Sequence, residues 1–298
     1  MSRSPLIGSA MALAAGLLWS FGVLTVRFAA EADPFQYLIW RAVGVMAVME
    51  GISVVSGGGL LLPRFLKTDR LGFVAAAGLV LAAVAFVFAL KRTTVANAVF
   101  FASTAPLQTA ILARIFLGER LGTGGVASIL VGLAGLLVMV GGDLGGGDLA
   151  GNLGGLFSAF GFAVYAVAVR LGKGRDFAPV LAGYGLLTLL VCLAATLFNG
   201  RTLLPPPLDV AMAVTHGAAL IGIGTILFNR ASRAVPAVGL TVLAQTETVF
   251  APLWVYLVFA ETPKATSLAG GALILAAILL KAFTTPPEPR PALGERPA

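Results

Sequence analysis

The sequence predicts an all-α integral membrane protein: ten transmembrane helices arranged as two inverted five-helix repeats, with N- and C-termini both in the cytoplasm. Three observations predict it. The 298 residues are 58% hydrophobic and only 11% charged, against about 25% charged in a hydrated soluble domain. Apolar runs of the ~20 residues that an α-helix needs to cross hydrocarbon, while satisfying its own backbone, fill the chain. The chain also matches itself when shifted by 142 or 143 residues.

The first apolar run, Leu6–Phe28, is too long for a cleaved signal peptide and carries Trp19 and Arg27 at the wrong end. It therefore counts as helix 1. Helices 2 to 5 are expected at Phe35–Ser56, Leu71–Leu90, Thr94–Leu117 and Gly122–Val140. Helices 6 to 10 follow at Asn152–Leu171, Phe177–Phe198, Leu208–Asn229, Pro236–Ala260 and Thr266–Phe283. Asp33-Pro34, the Gly57–Gly59 run with Pro63, Gly141–Gly147, Pro205–Pro207 and Glu261-Thr262-Pro263 punctuate the breaks. With the N-terminus inside, fourteen Lys and Arg fall on the inner side. Six (Arg27, Arg41, Lys91, Arg92, Arg201 and Lys264) fall on the outer side, which fits the positive-inside rule. The expected organisation is a first repeat over 1–141, a Gly-rich linker over 142–150, a second repeat over 151–284 and a disordered cytoplasmic tail over 285–298.

Several function classes are excluded at this point. The net charge of +7 is scattered among loops instead of forming a stripe, so nucleic acid is not expected as a partner. Cys192 stands alone, which rules out an intramolecular disulfide and a CxxC metal site. There is no GxxxxGK[ST] nucleotide motif, and one histidine, one cysteine and one mid-span carboxylate make no catalytic set. Neither a metal nor a cofactor is expected, and a membrane enzyme or a non-transporting scaffold is the reading from a different class.

The internal shift pairs Arg27 with Arg170, Trp19 with Phe162, Gly8 with Gly151, Lys91 with Arg233 and Glu119 with Glu261. A unit with an odd number of spans places its second copy upside down. Inverted repeats give two nearly equivalent conformations, each open to one side, with a ligand site near the midplane between the halves. Alternating access to a small molecule is the function this architecture implies.

Candidate site residues follow from helical periodicity. Asn97, Phe101, Thr104 and Gln108 share one stripe of helix 4, and Thr241, Gln245, Thr248 and Pro252 share one stripe of helix 9. Ser158, Phe162 and Tyr165 form a shorter version in helix 6, and Trp19 lies at mid-depth in helix 1. These residues either line a central cavity or stitch helices together by hydrogen bonds. Glu247, a mid-span carboxylate, is a functional candidate by its cost alone, either for substrate or for a structural pairing. It lies roughly 120° from the Thr241 stripe. His216 is expected as neutral, hydrogen-bonded structure, although the imidazole titration range leaves a pH switch open. Glu50 is expected to reach the interface, and Trp254 and Tyr256 to sit in an aromatic belt. Gly132, Gly135, Gly270 and Gly271 permit close approach in helices 5 and 10, which brace the bundle or form an oligomer contact.

The stretches PFQYLIWR (Pro34–Arg41), STAPLQTAILARIFLGERL (Ser103–Leu121), LFSAFGFAVYAVAVR (Leu156–Arg170) and AQTETVFAPLWVYLVFAE (Ala244–Glu261) resemble the drug/metabolite transporter superfamily, and within it the ten-helix EamA-type exporters. The resemblance covers Leu6 to Phe283. It implies a secondary transporter in a bacterial inner membrane, exporting small metabolites, with aromatic and other neutral amino acids as the expected substrates. A monomer or weak homodimer is expected in the lipid bilayer. A proton-coupled multidrug or toxic-compound exporter is the alternative, kept open by Glu247. Arg41 matches the family's helix 2 arginine, and Glu119 and Glu261 match its helix-end glutamates, with loop contacts implied. One departure is that the family's Glu-Pro pair in helix 9 is here Glu247-Thr248, with the proline displaced to Pro252, which leaves the geometry of helix 9 open.

Overall fold

Backbone groups in hydrocarbon have no water to bond, and among the described residues that constraint is met by helices alone. The computed structural model describes residues 5–93, 95–119, 122–140, 148–260 and 265–284. The linker positions 141–147, Glu261 and the tail 285–298 lie outside the described residues.

In the first half, α1 (Pro5–Ser20) and α2 (Gly22–Phe28) form a bent pair, followed by α3 (Pro34–Val55), the short α4 (Leu61–Leu66) and α5 (Arg70–Arg92). Next come α6 (Val95–Ala102), α7 (Ala105–Phe116) and α8 (Thr123–Val140). The second half holds α9 (Leu149–Leu171), α10 (Ala178–Phe198) and α11 (Pro207–Thr215), which passes through a π-helical turn (His216–Gly222) into α12 (Ile223–Ala231). It ends with α13 (Ala237–Ala244), α14 (Thr246–Phe259) and α15 (Ala265–Thr284). Seven helical stretches are long and apolar enough to cross a membrane, and Phe100–Phe116, Thr123–Val138 and Leu268–Leu280 are shorter apolar helices.

Equivalent helices start on equivalent caps. Asp33 accepts from the Phe35 amide at 2.8 Å, and Asp176, 143 positions later, accepts from Ala178 at 3.0 Å. Gln36 completes a capping box by accepting from the Asp33 amide at 2.8 Å. The helix α4 was not foreseen in the Gly-rich break. Its Pro63 falls in the first turn, where a missing N–H is harmless. Glu50 does not reach for the interface as expected; its carboxylate caps α4, accepting from Leu61 at 2.6 Å and Leu62 at 2.7 Å.

The packing is two-fold in pattern. α5 lies on α9 as α12 lies on α1, α6 and α7 lie on α9 as α13 and α14 lie on α1, and α3–α10 and α8–α15 pair equivalent with equivalent. Each half therefore buries its first helix in the other half. Small residues make the close approaches possible: a Cβ at Gly161 would press on the Gly78 carbonyl, and one at Gly135 on the Gly270 carbonyl. The tightest approach is at Gly217 in the π-turn, where a Cβ would overlap the Arg41 carbonyl oxygen.

Gly217→Ala should therefore cost about 3 kcal/mol or more, because backbone must move. Gly51→Ala on α3, where a Cβ meets nothing, should be neutral; thermal unfolding of both variants checks this. A second expectation concerns Asp69, which Arg175 hydrogen-bonds and so holds below the ordinary carboxylate value of 3.8. With the folded value lowered, this contribution is complete above the unfolded value and disappears as pH falls through the folded one. Acidification from about pH 6 to about pH 3 should lower the thermal midpoint more in the parent than in Asp69→Asn.

Candidate substrate site

Two residues related by the internal repeat can touch one another only near the pseudo-two-fold axis. Three such pairs do. Trp19 and Phe162, 143 apart, meet edge to face at 5.9 Å between ring centroids. Arg41 donates from a guanidinium nitrogen to the Tyr184 hydroxyl at 2.9 Å across the same separation. Gln245 donates its side-chain amide to the Ser103 carbonyl at 3.2 Å, 142 positions away. These contacts draw the axis through the middle of the bundle, where inverted repeats place a ligand site.

Two helix breaks flank the axis. Pro106 lacks the N–H that would bond Ala102 and its ring clashes there, so the chain turns at Ser103–Thr104 between α6 and α7. The equivalent break between α13 and α14 falls at Gln245, although Thr248 stands where the first repeat has Pro106. The Gln245 amide N–H bonds back to Val242 at 3.1 Å, and its side chain takes the Ser103 carbonyl that the first break leaves without a helical partner. A cavity of about 20 Å³ beside Gln245 and Ser103 has room for about one water.

The aromatic wall at the axis is continuous. Trp19, Phe162, Tyr165 and Phe228 meet at 5.5 to 6.4 Å between centroids. Tyr165 and Phe228 are fully buried, whereas Phe162 is half-buried. The Trp19 indole N–H is buried without an acceptor and faces Gly224. The Tyr165 hydroxyl donates to the Asn229 side-chain oxygen.

Glu247 is the second residue of α14, and it is exposed. Thr246 packs against Gly16, and Val249 joins the core. Among the described residues Glu247 and Arg41 form no ion pair with each other. Beyond Glu247 on the same face, Phe250 and Trp254 stack at 5.9 Å, and Trp254 stacks on Phe21 at 4.4 Å. Trp254 is thus not the belt residue expected: its ring turns inward and its N–H donates to the Ser20 hydroxyl at 2.8 Å.

The remaining candidates are placed as follows. Ser158 donates to the Ala82 carbonyl at 2.8 Å, and Thr241 is buried and donates within its own helix to Val238 at 3.0 Å. Gln108 donates to the Leu156 carbonyl at 3.1 Å and to the Thr104 hydroxyl at 3.2 Å, and Thr104 donates to the Phe101 carbonyl at 2.6 Å. Phe101 is half-buried against Phe100 and Gly155. The side chains of Asn97 and Pro252 lie outside the described set. His216 is buried with its Nδ1 2.8 Å from the Tyr37 hydroxyl, which also donates to Thr25 at 2.9 Å. The structure thus brings together Trp19, Phe162 and Tyr165 with Phe228, and has Gln245 cross to the other half, whereas Ser158 and Thr241 bond backbone carbonyls. Tyr184 and Asn229 were missed; Tyr184 was findable as the repeat partner of Arg41.

Comparison with known proteins agrees with this geometry. The profile of the EamA-like transporter family matches residues 6–141 and again residues 149–283. A solved structure titled only as the crystal structure of a protein superposes with a TM-score of 0.80 at 22% identity, covering 93% of this chain and 97% of that one. At that identity it shows the fold alone. No curated protein matches the sequence.

Tyr165→Phe removes only the hydroxyl held by Asn229 and should cost about 1 to 3 kcal/mol. An unfolding midpoint equal to the parent's would show that Tyr165 is not a structural strut.

Proposed function

With both halves matching its profile, the chain belongs to the EamA-like transporter family, multi-pass membrane transporters of small molecules, and we propose that it exports neutral amino acids, aromatic ones included. The observation that carries this reading is that Arg41 and Glu247, opposite charges on membrane helices, form no ion pair with each other among the described residues, Arg41 donating instead to the Tyr184 hydroxyl. A zwitterion would complete both. Its carboxylate fits Arg41 and the Tyr184 hydroxyl, its ammonium fits Glu247, and its side chain fits the wall of Trp19 and Phe162.

Ten spans, with both termini in the cytoplasm of a bacterial inner membrane, are the arrangement in which the fourteen inner and six outer Lys and Arg make sense. The seven long and three shorter apolar helices support that number. Alternating access follows from the inverted repeats: the contacts on the axis exchange roles as the bundle opens to one side or the other. Export as the direction comes from the resemblance. One observation favours a second reading, a proton-coupled drug exporter, because the exposed mid-span carboxylate of Glu247 suits a proton carrier.

Solute counterflow in proteoliposomes preloaded with an amino-acid panel tests both. Labelled phenylalanine or tryptophan should exchange rapidly in the parent, and Glu247→Gln should slow it by about tenfold or more, the value of one charge-assisted hydrogen bond. No exchange with any amino acid would sink the proposed substrate class. Exchange unaffected by Glu247→Gln would remove that carboxylate from the site.

A further inference from the structure

At the end of the bundle where the loops 56–69, 171–177 and 232–236 meet, a cavity of about 330 Å³ opens between α3, α4, α10 and α12. Four guanidiniums line it (Arg64, Arg175, Arg230 and Arg233) against the single carboxylate of Asp176. Asp176 is already taken by Arg64 at 2.8 Å, and Arg175 is held by Asp69 from outside the cavity. Arg230 and Arg233 have no ion-pair partner among the described residues. Arg230 lies in the last turn of α12 and Arg233 in the turn that follows, where its amide donates to the Arg230 carbonyl at 3.4 Å, and both line the cavity.

The opposite side of the cavity is apolar and open. α3 stays locked to the π-turn through Gly44 and Gly217, whereas α12 turns away to pack on α1. The helices part below the π-turn, leaving Met49, Ile52 and Ile226 as the cleft wall. Ile52 is 47% exposed at its edge. A charged head and an apolar flank occur in the same cavity.

We propose that this cavity binds a phosphate-type oxyanion, gripped by Arg230 and Arg233. Two guanidinium forks suit the several oxygens of a tetrahedral anion, and each adds paired, charge-assisted hydrogen bonds. The phosphate comes from one of two sources, the diester of an anionic lipid whose tail follows the Ile52–Ile226 cleft, or a free phosphate in solution. Basic pockets between membrane helices are suited to lipid headgroups. This site is separate from the axis at Arg41 and stands whether or not amino acids are transported.

The test uses the purified full-length protein in detergent. Native mass spectrometry compares retention of phosphatidylglycerol with phosphatidylcholine, and equilibrium dialysis measures labelled inorganic phosphate. The parent should retain phosphatidylglycerol about tenfold more than phosphatidylcholine, and the Arg230→Gln/Arg233→Gln variant should lose that preference. Arg114→Gln, an exposed arginine outside the cavity, should keep it. Phosphate binding lost in the same double variant would instead identify the free anion as the source. Should the double variant fail to fold, each single Gln variant must still lower retention. The proposal is overturned if the parent binds neither probe selectively, or if removing these arginines leaves binding unchanged.

Discussion

The constraint on which the structure depends is that every backbone N–H and C=O at membrane depth needs a partner within the protein. Unbroken helices meet it on their own. Where α6–α7 and α13–α14 break, the halves meet it for each other, since the Ser103 carbonyl freed in one repeat is taken by the Gln245 side chain of the other. The breaks are therefore possible only because the repeats are assembled, and they occur at the axis because only there do equivalent positions meet. The π-turn in the eighth span accommodates one extra residue in the same way, inside packing against α1 and α3 instead of against lipid.

Close approach is the second requirement. With the hydrophobic effect weak between helices in lipid, dispersion and backbone contact hold the bundle together, and both need small side chains where helices cross. Gly44 and Gly217 bring α3 to the π-turn, and Gly78 and Gly161 bring α5 to α9. These contacts belong to different halves, so each half is incomplete alone. The Glu119 carboxylate adds a polar tie at one end, accepting from the Arg170 side chain at 3.1 Å and the Ala237 amide at 3.2 Å. That is the loop contact the family resemblance implied for Glu119.

Apolar run length and the 142–143 residue shift made the membrane helices and the repeat legible in the sequence, because both are properties of one chain segment. One pair on the axis was legible too, since the shift alone matches Trp19 with Phe162, whereas Arg41 with Tyr184 and Ser103 with Gln245 were not drawn from it. Less legible was what each polar face meets. Periodicity places Thr241 and Gln245 on one stripe, yet Thr241 bonds its own helix while Gln245 crosses to the other half. A helical wheel cannot separate those outcomes, because they depend on the neighbouring backbone. The break at Gln245 carried no proline signal, and the cap that Glu50 gives α4 joins residues eleven apart through a turn whose path the sequence pattern does not encode.

The placement of Arg41 and Glu247 is the feature least explained by stability. Two opposite charges in a low-dielectric interior gain most by direct pairing, and each costs several kcal/mol when held apart from a partner. A bundle selected for rigidity alone would close that gap or replace both with apolar residues. Here Arg41 is anchored by the neutral Tyr184 hydroxyl instead, and Glu247 stays exposed. That exposure lowers the desolvation cost of Glu247, and under the proposed function a zwitterion meeting both charges would offset the rest. Under that proposal the axis contacts, already formed here, are the ones that opening to either side must rearrange, which would tie the energy of binding to the movement of the two halves.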